Sequence, residues 1–216
     1  MKRTALAFAF LLFAFSAAWS YDMPDYTFVP VHEKIRFKED YYQLAADWLY
    51  ADLDSVSRNI YYLEIATVMC FRPAIQALVP ITNEMQYARY SNLIEMDICR
   101  LLTRYYIEYG NEYMKEHLYF FNREFYTNYT EGWAIAEKYY KDARAWWDKA
   151  VDYAKAADAI RGWRLDNDFY GRHIPWENTL ERIKSGDLNY YKIVGMRLAK
   201  IDENRAKAKE MWGDPP

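Results

Sequence analysis

Residues Thr130 to Arg161 read TEGWAIAEKYYKDARAWWDKAVDYAKAADAIR. Trp133, Ala136, Tyr140, Ala143, Trp147, Ala150 and Ala154 recur there at alternating steps of three and four residues. At about 3.6 residues per turn, such steps collect on one face of an α-helix and leave the charged residues between them on the other. Thr130 is placed to cap the start of this helix. Its apolar face needs another helix to cover it.

Downstream, Gly162 to Ile174 is a loop rich in Gly, Asn and Asp. Pro175 suits the first turn of a short helix ending at Ser185-Gly186. A last helix from Asp187 would carry Tyr191, Val194, Leu198, Ile201, Ala208 and Trp212 inward. Upstream, Thr82 is a candidate cap for a helix from Asn83 to about Tyr109. Its inward stripe is Tyr87, Tyr90, Ile94, Ile98, Leu101, Leu102 and Tyr105, with Gly110 as a C-terminal cap or a tolerated kink. Earlier still, Phe37, Tyr41, Ala45, Trp48 and Leu49 mark a helix from about Glu33. Asp54-Ser55 offers a break and a new cap, and Ile60, Leu63, Ile65, Val68 and Met69 continue towards Pro73. A short helical piece closes at Pro80. The reading gives six or seven helices and no convincing strand.

The chain holds 22 tyrosines, and ten Tyr and Phe rings fall between Arg104 and Tyr129 alone. Five doublets, Tyr41-Tyr42, Tyr61-Tyr62, Tyr105-Tyr106, Tyr139-Tyr140 and Tyr190-Tyr191, lie in expected helices. Neighbours on a helix point about 100° apart, so one ring of each doublet should enter the core and the other should sit at its boundary. Tyrosine suits a boundary, because its ring buries while its hydroxyl reaches water or a partner. The rings therefore serve helix packing, and any surplus could line a binding surface.

Glu39-x-Tyr41-Tyr42-x-x-Ala45-x-x-Trp48 is repeated as Glu137-x-Tyr139-Tyr140-x-x-Ala143-x-x-Trp146. Each copy lays large, small and large side chains along one ridge, over which another helix could settle. Ala143-x3-Trp147-x2-Ala150 has the spacing of the second helix of tetratricopeptide repeats. The first-helix positions do not line up, however, and no period near 34 residues persists. The fold expected is all-α: helical hairpins in a bundle or short solenoid with an aromatic-rich core, remotely tetratricopeptide-like at most.

Lys2 and Arg3, the apolar run Ala5 to Phe15 and the closing Ala18-Trp19-Ser20 have the form of a secretory signal peptide. The apolar run is shorter than the roughly 20 residues a membrane span needs. The chain thus divides into a signal peptide over 1–20, an extended arm with two prolines over 21–32, and one helical domain over 33–212. Losing the signal takes the net charge from −3 to −5 by removing two cations. An acidic chain with scattered lysines lacks the basic stripe that nucleic acid requires. Only seven glycines and seven prolines occur, which favours few, long elements. Cys70 and Cys99 are the only cysteines, and an oxidising compartment would allow them to pair. As members of consecutive antiparallel helices they would stand roughly 24 Å apart, so bonded and free forms both stay open.

The polar loop and its neighbours form the best candidate site for a ligand or partner: Trp146, Trp147, Arg161, Trp163, Arg164, Asp168, Arg172, His173 and Trp176. Rings beside Arg and Asp are the side chains that stack on, and hydrogen-bond to, a partner or a glycan. The alternative is a solvated connection whose tryptophans plug into the bundle. His32, His117 and His173 are far apart and lack the Glu-x-x-His pairing of helical di-metal sites, so no metal or cofactor is expected. Glu108, Glu112 and Glu116 repeat at four-residue steps and repel one another, which suits a solvated face. Asn128-Tyr129-Thr130 is a glycosylation sequon, silent in a bacterium. No nucleophile or phosphate-binding motif occurs. The function expected is therefore non-enzymatic: a secreted or periplasmic protein that binds an envelope or extracellular protein, or itself. A periplasmic solute or glycan binder with an aromatic groove is the alternative. A cell-wall hydrolase comes third, and would need two carboxylates across a cleft.

Overall fold

The computed structural model describes residues 36–46, 55–115, 123–168, 171 and 173–213. The expected signal peptide and arm, His32, Trp48, Glu116, His117 and Arg172 lie outside the described residues. Six α-helices follow one another in the described residues: α1 (Lys38–Ala46), α2 (Val56–Val68), α3 (Glu84–Tyr113), α4 (Tyr126–Ala159), α5 (Trp176–Ser185) and α6 (Tyr190–Trp212). Two 3₁₀ turns, Ala74–Gln76 and Arg123–Phe125, join them. The nearest thing to a sheet there is one isolated bridge between Asn167 and His173. The protein is all-α. No described helix is long and apolar enough to cross a membrane.

The face read from Trp133 to Ala154 finds its cover in α3, and the two helices run antiparallel. Arg89, early in α3, bonds the carbonyls of Ala157 and Ile160 at the end of α4. Trp133, early in α4, donates its indole N–H to the Lys115 carbonyl just past the end of α3, at 3.2 Å. All seven residues of the α4 stripe are buried, as are six of the seven expected on α3, with Tyr87 half-buried. Burial on α3 goes further, taking in Arg89, Leu93, Met96, Asp97, Cys99 and Thr103. The reason is that α1, α2 and α5 pack on its remaining sides, which makes α3 the central rod. Helix α6 lies antiparallel along α4, with Tyr191 bonded to Asp148, Arg205 to Glu137 and Trp212 against Tyr126.

Ser55 stands at the N-cap of α2 as expected, without a side-chain capping bond, while other caps fall elsewhere. Asn83, rather than Thr82, caps α3 by accepting from the Gln86 N–H at 2.9 Å. The Gln86 side chain in turn accepts from the Thr82 N–H and hydroxyl, a reciprocal capping box. Thr130 lies inside α4, which starts four residues earlier, and its hydroxyl donates to the Tyr126 and Thr127 carbonyls. Helix α6 begins at Tyr190 behind an Asn189 cap, and Tyr191 points outward where it was expected to point in. Gly110 does not end α3, which runs on to Tyr113. It is buried within the helix, and an added Cβ would stand 2.8 Å from the Tyr140 ring. Glycine is there because an aromatic ring crosses the backbone at that point.

Three tyrosine doublets divide as expected or nearly so: Tyr105 and Tyr140 are buried beside half-buried Tyr106 and Tyr139, and half-buried Tyr190 precedes exposed Tyr191. Tyr61 and Tyr62 both sit at the boundary. Tyr41 and Tyr42 are both buried, because α1 is covered on two sides: Tyr41 meets Tyr62 of α2, and Tyr42 meets Trp176 of α5. The hydroxyls cross between elements. Tyr90 donates to Glu39, Tyr42 to Asp97, Tyr105 to the Ala45 carbonyl and Tyr106 to Glu64. Each ring thus packs and latches at once.

Two glycines give opposite expectations. Gly110→Ala forces its methyl against a Tyr140 ring that is buried and anchored to Asn111, and should cost about 1–3 kcal/mol in urea unfolding. Gly195→Ala, inside α6 with open space around it, should stabilise by about 0.5–1 kcal/mol. The latches also predict alkaline sensitivity. Burial pushes the phenols of Tyr42, Tyr90 and Tyr106 above their ordinary value of 10.0. Their stabilisation is complete below that value and is lost as pH climbs beyond it, because the unfolded chain ionises first. Absorbance at 295 nm should show late tyrosine ionisation, coincident with the loss of helical circular dichroism.

Candidate functional site

A guanidinium and a carboxylate set the geometry of the polar loop. Arg89 and Glu177 are both buried and form a two-pronged pair, Nε to Oε1 at 2.8 Å and Nη2 to Oε2 at 2.5 Å. The third nitrogen of Arg89 donates to the carbonyls of Ala157 (2.6 Å) and Ile160 (2.8 Å), where α4 ends with unsatisfied acceptors. Glu177 sits in the first turn of α5 and also accepts from the Leu165 N–H at 3.0 Å. A cation therefore caps the negative end of one helix and an anion the positive end of the next. The loop leaves α4 and enters α5 tied to this pair at both ends and at Leu165.

Above the pair lies an open groove of about 500 Å³, walled by Trp163, Arg161, Arg164, Asp158, Glu181 and Lys184. Trp163 is 42 % exposed, unusual for so large an apolar ring. The charges are largely matched: Arg164 grips Asp166 with two nitrogens, and Lys184 bridges Asp158 at 2.8 Å and Glu181 at 3.6 Å. Of the nine residues expected at the site, the groove gathers Arg161, Trp163 and Arg164. His173 is exposed and pairs in the bridge with Asn167, while Asp168 is half-buried and its carbonyl accepts from Gly171. Trp147 and Trp176 belong to the core instead. Trp147 packs edge-on against Tyr190, and Trp176 donates to the Tyr42 hydroxyl at 2.8 Å.

Trp146 faces a different groove of about 400 Å³, lined by Thr67, Glu95, Cys99, Lys149, Asp152 and Tyr153. Cys99 is buried there and Cys70 is exposed; the two are not bonded to each other. Burial pushes the Cys99 thiol up to about 12, which keeps it neutral and unreactive. On the opposite side of α3, Asp97 accepts from Tyr42 and Arg100, and Glu39 takes the Arg72 N–H together with the Tyr90 hydroxyl. Glu108 pairs with Arg104 at the surface and Glu112 is exposed, as a solvated face would have them.

Arg89, Glu177, Glu39 and Asp97 carry the architecture; the sequence pattern marked Glu39 only as the start of a repeated ridge and did not mark the other three as structural. Of those three, only Glu177 left a local signal, an acid in the first turn behind Pro175. A sequence profile described as "Domain of unknown function (DUF8513)" matches residues 85–211, more than half of the chain. No curated protein and no solved structure matches.

The buried pair can be tested directly. Arg89→Met leaves the Glu177 carboxylate without its main partner and should cost about 3–5 kcal/mol in urea unfolding. Adding Glu177→Leu removes the stranded charge, so the double variant should be more stable than Arg89→Met alone. A double-mutant cycle should return a coupling of about 1–3 kcal/mol. Additive costs would show that the two charges act separately.

Proposed function

The chain belongs to the DUF8513 family, and we propose that it is a non-enzymatic helical protein of the periplasm or cell exterior that holds another envelope protein or a second copy of itself. The observation that carries this reading is Trp163, left exposed between Arg161, Arg164 and Lys184 on a loop fixed by a buried ion pair. Tryptophan and arginine are the residues that dominate protein interfaces, and a pre-organised loop loses little entropy on binding. The scaffold's buried acids support the same reading: Glu39, Asp97 and Glu177 are all engaged by donors of the fold. Export rests on the form of residues 1–20.

A glycan is the second candidate occupant, because a bare indole face flanked by paired acids and bases also suits sugar stacking. One pair of experiments separates them. Sedimentation of the purified chain should show mass rising with concentration, or a captured envelope protein on cross-linking. Trp163→Ala with Arg161→Glu should weaken that association about tenfold or more while leaving the unfolding midpoint unchanged. A chain that stays monomeric and captures nothing, yet quenches its tryptophan fluorescence with oligosaccharides, would transfer the groove to the sugar.

A further inference from the structure

The second groove has chemistry of its own. It lies where α2, α3 and α4 meet and shares no lining residue with the first groove. Lys149 extends its ammonium over the Trp146 ring, 3.9 Å from the centroid, so the indole face is already presented to a cation. Tyr153 adds a second ring to the wall, and Asp152 and Glu95 add carboxylates. Glu95 is mostly buried. It pairs with Lys38 at 2.6 Å, and the Lys38 ammonium is itself held by the Thr67 carbonyl at 3.1 Å. Burial nevertheless keeps the Glu95 carboxyl above its usual range despite that partner, so a further positive charge nearby would stabilise its ionised form. Cys99, neutral at the same wall, offers only a small apolar surface.

We propose that this groove is a binding site for a small organic ammonium, which replaces the Lys149 ammonium on the Trp146 face. Rings supply the faces a cation prefers, Glu95 and Asp152 supply opposite charge, and about 400 Å³ accommodates a small solute. Lys149 is an exposed side chain on a flexible stem, and the attraction to Glu95 that it gives up on moving aside is restored by the incoming cation. The resident lysine acts as an internal competitor that a ligand must move aside. This inference is independent of the Trp163 groove.

Calorimetric titration of the full chain with tetramethylammonium and with choline tests it, alongside the neutral choline isostere 3,3-dimethylbutanol. Both cations should bind in the millimolar range or tighter, and the isostere at least about tenfold more weakly. Lys149→Ala should tighten cation binding about threefold by removing the competitor. Trp146→Leu should weaken it about tenfold, and Trp146→Phe, which keeps a ring, by less. Silence towards both cations up to about 10 mM would overturn the proposal. So would equal affinity for the isostere, or no tightening in Lys149→Ala. Retention on phosphatidylcholine vesicles with no response to free choline would overturn the assignment to a soluble solute.

Discussion

The Arg89–Glu177 pair is the constraint on which the rest depends. Removing a guanidinium and a carboxylate from water costs several kcal/mol for each ion, and attraction alone offsets this only when geometry and additional hydrogen bonds are good. Here both conditions hold. Arg89 places its nitrogens on two carboxylate oxygens and two carbonyls, and Glu177 receives a backbone amide as well. Every one of these partners is a helix terminus or the loop between two helices. The pair therefore fixes where α4 stops, where α5 starts and how the intervening chain leaves the bundle. Trp163 is exposed because that route carries it over the surface.

Tyrosine is the second material of the fold, and its prevalence has a physical reason beyond ring area. A leucine core would bury comparable surface but could not bond. The phenols here reach a carboxylate or a carbonyl on another helix, which fixes register and rotation as well as distance. Such contacts are demanding, since a buried hydroxyl left without a partner costs about 1–3 kcal/mol. They select one arrangement of helices over sliding alternatives, a role that featureless apolar packing fills poorly. The acids Glu39, Asp97 and Glu64 are the receiving ends, so the acids and the aromatics of this chain form one system.

The all-α architecture was legible because the α4 stripe and most of the α3 stripe follow helical spacing without interruption. Helix ends were less so. Thr82 and Asn83 are both good caps, and only the Gln86 side chain decides between them. Gly110 carries a signal that points the wrong way, since glycine near a helix end usually marks a cap, and the ring that requires it sits thirty residues away on another helix. The site was half legible for the same reason. Arg161, Trp163 and Arg164 are close in sequence and stay together in space. Trp147 also stood on the inward stripe of α4, which its burial follows, whereas Trp176 is buried through Tyr42, which no local pattern connects to it. Arg89 stands between inward tyrosines on α3, where a charge reads as a surface residue unless its partner is known.

Those distances also explain why the two grooves differ in kind. The Trp163 groove is held from beneath by a saturated ion pair, and its charges are matched by neighbours on the loop and on α5, so its shape is set before anything arrives. A partner meeting it gains from contact area and stacking more than from net charge. In the Trp146 groove a lysine side chain already lies over the ring. Lys149 is exposed and tethered only by its stem, whereas Glu95 and Lys38 below it are locked into the core. A rigid floor under a movable cation is an arrangement in which selectivity comes from displacement: an occupant must match the ammonium it removes. The same few buried charges that orient the helices thus also set the surroundings of exposed Trp163 and half-buried Trp146.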